Sequence, residues 1–137
     1  MALSFSAECA AAMLLGLKNH IENGSGKIVL KIFGGTMPAN ATTALSSNTV
    51  LAVLQMDPPF AGTPANKTLT ANQFTADSSA AAAGTATFFR LYRENNDTAI
   101  LQGSTSLSGG DGDLKLNQLE ITQGEAVRIA EAKFVLP

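Results

Sequence analysis

The sequence predicts a mainly β protein: an antiparallel β-sandwich, Ig-like or jelly-roll-like, preceded by one N-terminal α-helix. Three observations carry this. Apolar spacings of three and four residues are confined to residues 4 to 22. From Lys27 onward the apolar period is two, and turn signals divide the chain into roughly seven or eight short strands. No second helical stretch interleaves with those strands, which argues against a parallel α/β sheet.

The helix is expected over residues 4 to 22, with Ser4 or Ser6 as its N-cap and Glu8 in the first turns, where negative charge is favoured. Ala10, Met13, Leu14, Leu17 and Ile21 form one apolar stripe. Asn23-Gly24 ends it, with Gly24 suited to a left-handed cap. Gly16 weakens the middle by about 1 kcal/mol relative to Ala and invites close approach of another backbone. Residues 1–24 are therefore expected to act as an assembly or docking helix, and residues 25–137 as the β-sandwich.

Lys27 to Phe33 alternates Ile28, Leu30 and Ile32 against Lys27, Val29, Lys31 and Phe33. Gly34-Gly35 stops this strand, and 36 to 47 is a loop. Thr49 to Met56 is nearly all apolar and is expected to be buried on both faces. Asp57-Pro58-Pro59 breaks it. Short strands are expected around Leu69 and Phe74, and the Ala run within Ser78 to Gly84, at 80–83, leads into the next strand. Thr85 to Arg93 has the strongest strand character, and it pairs as a hairpin with 98 to 104 across the turn 94–97. Gly109 to Asp113 is expected to be a mobile loop. Leu114, Leu116, Leu119 and Ile121 mark a strand with a bulge, and Glu125 to Leu136 closes the fold.

With 137 residues the chain suits one domain. Apolar residues make up 45% and charged residues only 15%, against about 25% charged in a typical soluble domain. Small neutral residues replace the missing charge. Such a surface is easy to desolvate, which fits a chain packed against neighbours. The net charge is −2 and the nine Lys and Arg residues are scattered, so no basic face for nucleic acid emerges. The longest apolar run, Cys9 to Leu17, is too short to span a membrane.

No catalytic, cofactor or metal motif stands out. Cys9 is the single cysteine and is expected to be a buried structural thiol; His20, eleven residues further along the helix, is about 16 Å away, too far to act as its base. His20 itself is expected to be partly buried. Gly24-Ser25-Gly26-Lys27 lacks phosphate-loop spacing and follows a helix, so it reads as a turn. The Gly109 to Asp113 loop has oxygen ligands but lacks the closing Glu of a calcium loop. Glu120, Glu125 and Glu131 read as a solvated strand face. The sequons at Asn40, Asn66 and Asn96 mark Asn/Thr-rich loops. Arg90, between Phe89 and Leu91, is either outward by alternation or an inward arginine making a specific contact. These readings describe a protein that is not an enzyme.

Gly84-Thr85-Ala86-Thr87-Phe88-Phe89-Arg90-Leu91, followed after the hairpin by Gln102-Gly103, resembles a family of small virion structural proteins of tailed bacteriophages. Gly35-Thr36-Met37-Pro38, Pro59-Phe60-Ala61-Gly62, Asp113-Leu114-Lys115-Leu116-Asn117 and Gly124 to Ile129 are similar to further segments of that family, so the resemblance spans most of the chain. Phe88 stands where Trp is frequent, and Gly34-Gly35 replaces a Tyr-containing strand end. The resemblance implies a homo-oligomer within the virion, assembled in the host cytoplasm. Its implied partners are other virion proteins such as the portal, a head–tail adaptor or the major capsid protein, with no specific nucleic acid and no membrane. It implies no cofactor and no catalytic residue. A ring-forming neck or collar component is the first expectation. A capsid decoration protein and a carbohydrate-binding host-attachment module are the alternatives, the last disfavoured by the absence of Trp and the single Tyr.

Overall fold

The structure, a computed structural model, describes residues 4–23, 26–46, 48–94 and 98–136. Helix α1 spans Ala7–Glu22. Ser6 caps it, its Oγ accepting from the Cys9 N–H at 3.1 Å. Ala10, Leu14 and Ile21 of the expected stripe are buried and Leu17 packs against the core. Met13 departs from expectation: it is 44% exposed. The buried face of the helix is narrower than its apolar stripe, because only one side meets the sheet. The expected Gly24 cap lies outside the described residues.

The strands are β1 (Ile28–Phe33), β2 (Val50–Met56), β3 (Thr68–Thr70), β4 (Gly84–Thr85), β5 (Phe88–Arg93), β6 (Leu101–Leu107), β7 (Leu114–Leu116), β8 (Glu120–Ile121) and β9 (Ile129–Val135). Seven form one sheet in the order β2-β1-β5-β6-β7-β9-β3, while β4 and β8 pair separately. All pairings are antiparallel except β6 with β7. The protein is thus mainly β and β-sandwich-like, a curled sheet with one N-terminal helix.

The curl has an identifiable cause. Segment 75–81 runs along the free edge of β2: the Thr75 and Ala81 N–H groups donate to the Gln55 and Leu51 carbonyls, and Asp77 Oδ2 accepts from the Val53 N–H at 2.9 Å. Asp77 also exchanges both backbone hydrogen bonds with Val127, just ahead of β9. One segment therefore ties the first strand of the sheet to the approach of its penultimate strand, and covers an edge that would otherwise template aggregation.

In β1, Ile28, Leu30 and Ile32 point inward as their alternation predicts, opposite Met56, Leu54 and Ala52 of β2. β2 is less enclosed than expected: Val50 and Val53 are half-buried and Gln55 is exposed. The expected strand at 85–93 is split. The Ala86 N–H donates to the Leu119 carbonyl and the Thr87 N–H to the Phe33 carbonyl, so the chain changes sheets at this point. The same switch separates β7 from β8, where a single bulged strand was expected. Around Phe74, isolated bridges at Thr75 and Asp77 take the place of a strand. Asn66 and Lys67, both at positive φ, form the two-residue turn between Ala65 and Thr68.

The helix and the sheet share one core. Leu14 and Ile21 belong to the same buried cluster as Leu30, Leu54, Phe60, Leu69, Phe89 and Leu91. Fully burying a side chain of this size contributes about 1.5–3 kcal/mol. Deleting residues 1–23 would uncover that cluster, so the helix contributes to the fold as well as presenting a surface.

Candidate docking surface

The outer face of β1 and β5 is roofed by the loop between β1 and β2, and Arg90 holds that roof in place. Register pairs Arg90 with Lys31 on one side and Gln102 on the other, all on the outer face. Arg90 is 4% exposed, which settles its orientation: it is a buried arginine beneath a loop. Its Nε donates to Gln102 Oε1 at 3.1 Å, and its Nη2 donates to the Asn40 and Thr43 carbonyls at 3.2 and 2.7 Å. Gln102 in turn donates to the Pro38 carbonyl at 2.7 Å. Asn40 Oδ1 accepts from the Thr42 N–H and from the hydroxyls of Thr42 and Thr43, which shapes the loop from within. The acceptors of Arg90 are neutral, not the carboxylate of a bidentate pair.

A groove of about 260 Å³ opens beside this clamp, lined by Arg90, Tyr92, loop residues 41–45 and Thr98-Ala99. Lys31 Nζ sits 4.9 Å from the centre of the Tyr92 ring, a cation–π contact. The ion pairs among the described residues, Lys18–Glu22, Lys27–Asp57 and Lys133–Glu131, leave Arg90 and Lys31 without a counter-charge.

The loop after β6, expected to be mobile, is folded back and pinned. A Cβ at Gly110 would lie 2.8 Å from Ser106 Cβ, and one at Gly112 would lie 2.7 Å from Ser106 N. Only glycine permits this approach. Gly112 N–H donates to Ser106 Oγ at 3.0 Å, and Lys115 Nζ donates to the Gly110 and Gly112 carbonyls at 3.0 and 2.9 Å. The lysine ammonium thus occupies the cation position that the carbonyls of such a loop could offer to calcium. Asp113 Oδ2 faces the Ser104 N–H, and Asp111 is exposed.

The second feature is the outward side of α1. Cys9 is exposed and not a buried thiol, because its position faces away from the sheet. His20 is likewise exposed, where partial burial was expected; its carbonyl accepts from Arg93 Nη2 and from the Asn23 N–H. Ala12, Met13, Leu15 and Gly16 are exposed as well, and a Cβ at Gly16 would meet nothing within 4 Å. The close backbone approach expected at Gly16 is not made within this chain. Every exposed helix residue from Cys9 to Gly16 is uncharged.

At the far end of α1, Glu22 joins the helix to the chain after β2. One carboxylate oxygen accepts from Lys18 Nζ at 3.0 Å and the other from the Phe60 N–H at 2.6 Å. Burial pushes the Glu22 carboxyl up, but Lys18 and the Phe60 and Ala61 N–H groups outweigh it and hold the carboxyl below its ordinary range. Nothing in the sequence signals this 38-residue link. The carboxylates of the expected solvated face have surface partners: Glu120 accepts from Thr85, Glu125 from Gln118, and Glu131 pairs with Lys133. Among the described residues no group of three His, Cys, Asp or Glu could hold a metal ion. No family model, curated protein or solved structure matched the chain in comparisons with known proteins.

Proposed function

We propose that this chain is a structural protein of a tailed-bacteriophage virion, a ring-forming neck or collar component at the head–tail junction. The uncharged outward side of α1 is the observation that carries the assembly part of this reading. Met13 and Leu15 each expose 44% of their surface there, beside Ala12 and Gly16. Water-facing apolar residues on a helix whose other side is fully packed suit burial against a neighbour.

The virion part rests on the sequence resemblance, to which the fold lends one support. The two most characteristic segments meet across β5 and β6: Phe89 lies opposite Gly103, and Arg90 opposite Gln102. They form one unit in space, clamping the loop that begins with Gly35-Thr36-Met37-Pro38. A capsid decoration protein would use the same surfaces at higher copy number. A carbohydrate-binding module is the poorest fit, because Phe33, Phe60, Phe74, Phe88, Phe89 and Tyr92 are all buried and thus unable to stack on a sugar.

The assembly reading is tested with Met13→Lys and Leu15→Lys together, on the exposed side of α1. The variant is expected to melt within a few degrees of the wild type and to be missing from purified particles. Incorporation at the wild-type level would overturn the role given to this surface.

A further inference from the structure

We propose that the groove over Arg90 binds a carboxylate, and that Asp111 of a second copy of this chain supplies it. The inference rests on the self-assembling reading above. Arg90 is nine-tenths buried, yet its acceptors, Gln102 Oε1 and the Asn40 and Thr43 carbonyls, are all neutral. They occupy Nε and Nη2. Nη1 makes no hydrogen bond among the described residues and keeps access to the groove. Directly across the strand pair stands a second cation, Lys31. A buried guanidinium beside a like charge, with no counter-ion among the described residues, is costly. An incoming carboxylate would relieve that cost through a charge-assisted hydrogen bond from Nη1, in a groove whose apolar walls, Ala41, Leu45 and Ala99, limit competing water.

Charge complementarity identifies the donor. Asp57, Glu120, Glu125 and Glu131 already have partners on the surface, and Glu94 is half-buried with its side chain against Gly26. Glu8 sits in the first turn of α1, where the helix end favours it. Asp111 is exposed, has no partner among the described residues, and stands on a turn that Lys115 and Ser106 hold in shape. It cannot serve its own Arg90: Gly112 packs on Ser106, four residues along β6 from Gln102, or about 13 Å. A contact between these two unlike residues can be made twice in a closed two-fold pair or once per neighbour head to tail; the ring proposed above requires the head-to-tail form.

The test is sedimentation equilibrium on the full chain and its Asp111→Asn and Asp97→Asn variants. Asp97 precedes Thr98 in the sequence and lies outside the described residues, so its variant serves as the intrachain control. Asp111→Asn is expected to weaken self-association at least tenfold in Kd with an unchanged melting temperature. Asp97→Asn is expected to leave it unchanged. In a Cys9→Ser background, mixing a Thr43→Cys chain with a Gly109→Cys chain, which keeps Asp111 and places the thiol where nothing lies within 4 Å, is expected to give a disulfide-linked heterodimer on mild oxidation. Wild-type association by Asp111→Asn, or weakening by Asp97→Asn alone, would overturn the proposal while the assembly reading stands. A wild-type chain that stays monomeric at every concentration would overturn both.

Discussion

Glu22 accepts a 2.6 Å hydrogen bond from the backbone N–H of Phe60, 38 residues away, and so fastens the end of α1 to the segment that leaves β2. Phe60 is fully buried, edge-on to Phe74 and stacked on Phe134. The carboxylate therefore positions a residue at the centre of the core.

This link has a pH signature. The Glu22 carboxyl is held below its ordinary range in the folded chain, so its contribution is complete above the unfolded value near pH 4.5 and is lost as pH falls through the lower folded value. Glu22→Gln is expected to cost about 1–3 kcal/mol at pH 7. It should also flatten the acid side of the stability curve, read by urea unfolding from pH 3 to pH 7. A variant with the wild-type acid slope would count against the link.

Gly103 is the one residue type that fits opposite Phe89. A Cβ there would lie 2.8 Å from Phe89 Cε1 and 2.7 Å from Asp113 Oδ2. Gly103→Ala is expected to force the ring aside and destabilise the protein by about 1–3 kcal/mol, as overpacking does. Thermal unfolding measures this, and Gly109→Ala, where nothing lies within 4 Å, serves as the comparison.

Arg90 holds the loop by its fork, which lysine cannot reproduce. Arg90→Lys is expected to leave the Gln102 and loop carbonyl acceptors poorly satisfied. The loss should be about 1–3 kcal/mol, with amide exchange in residues 40–43 accelerating more than exchange in β1. Unchanged protection in the loop would show that other contacts hold it down.

Asp77→Ala removes the acceptor for the Val53 N–H on the edge of β2. The expected result is a loss of about 1–2 kcal/mol and faster aggregation on mild heating, followed by light scattering, because an edge strand regains a free donor.

Regular periodicity made α1, β1 and β5 legible in the sequence, since each has one strongly apolar face. The orientation of Arg90 was not, because β5 is covered on both sides and its roof, the loop after β1, has no periodicity to reveal it. β4 and β8 are two residues long, below the length at which alternation means anything. Cys9 and Met13 were misplaced because an apolar stripe does not say which part of it will be covered. Glu22 left no pattern, since its partner is a distant backbone group. The pinned turn at 109–113 was legible only as glycine-rich; its stiffness comes from Lys115, two residues past it.

The most direct test of a ring-forming role is copy number per particle, by quantitative mass spectrometry of purified virions against the portal protein. About one copy of this chain per portal subunit is the predicted result. Tens of copies per portal subunit would place it on the capsid surface instead, and its absence from the particle would contradict the virion reading itself.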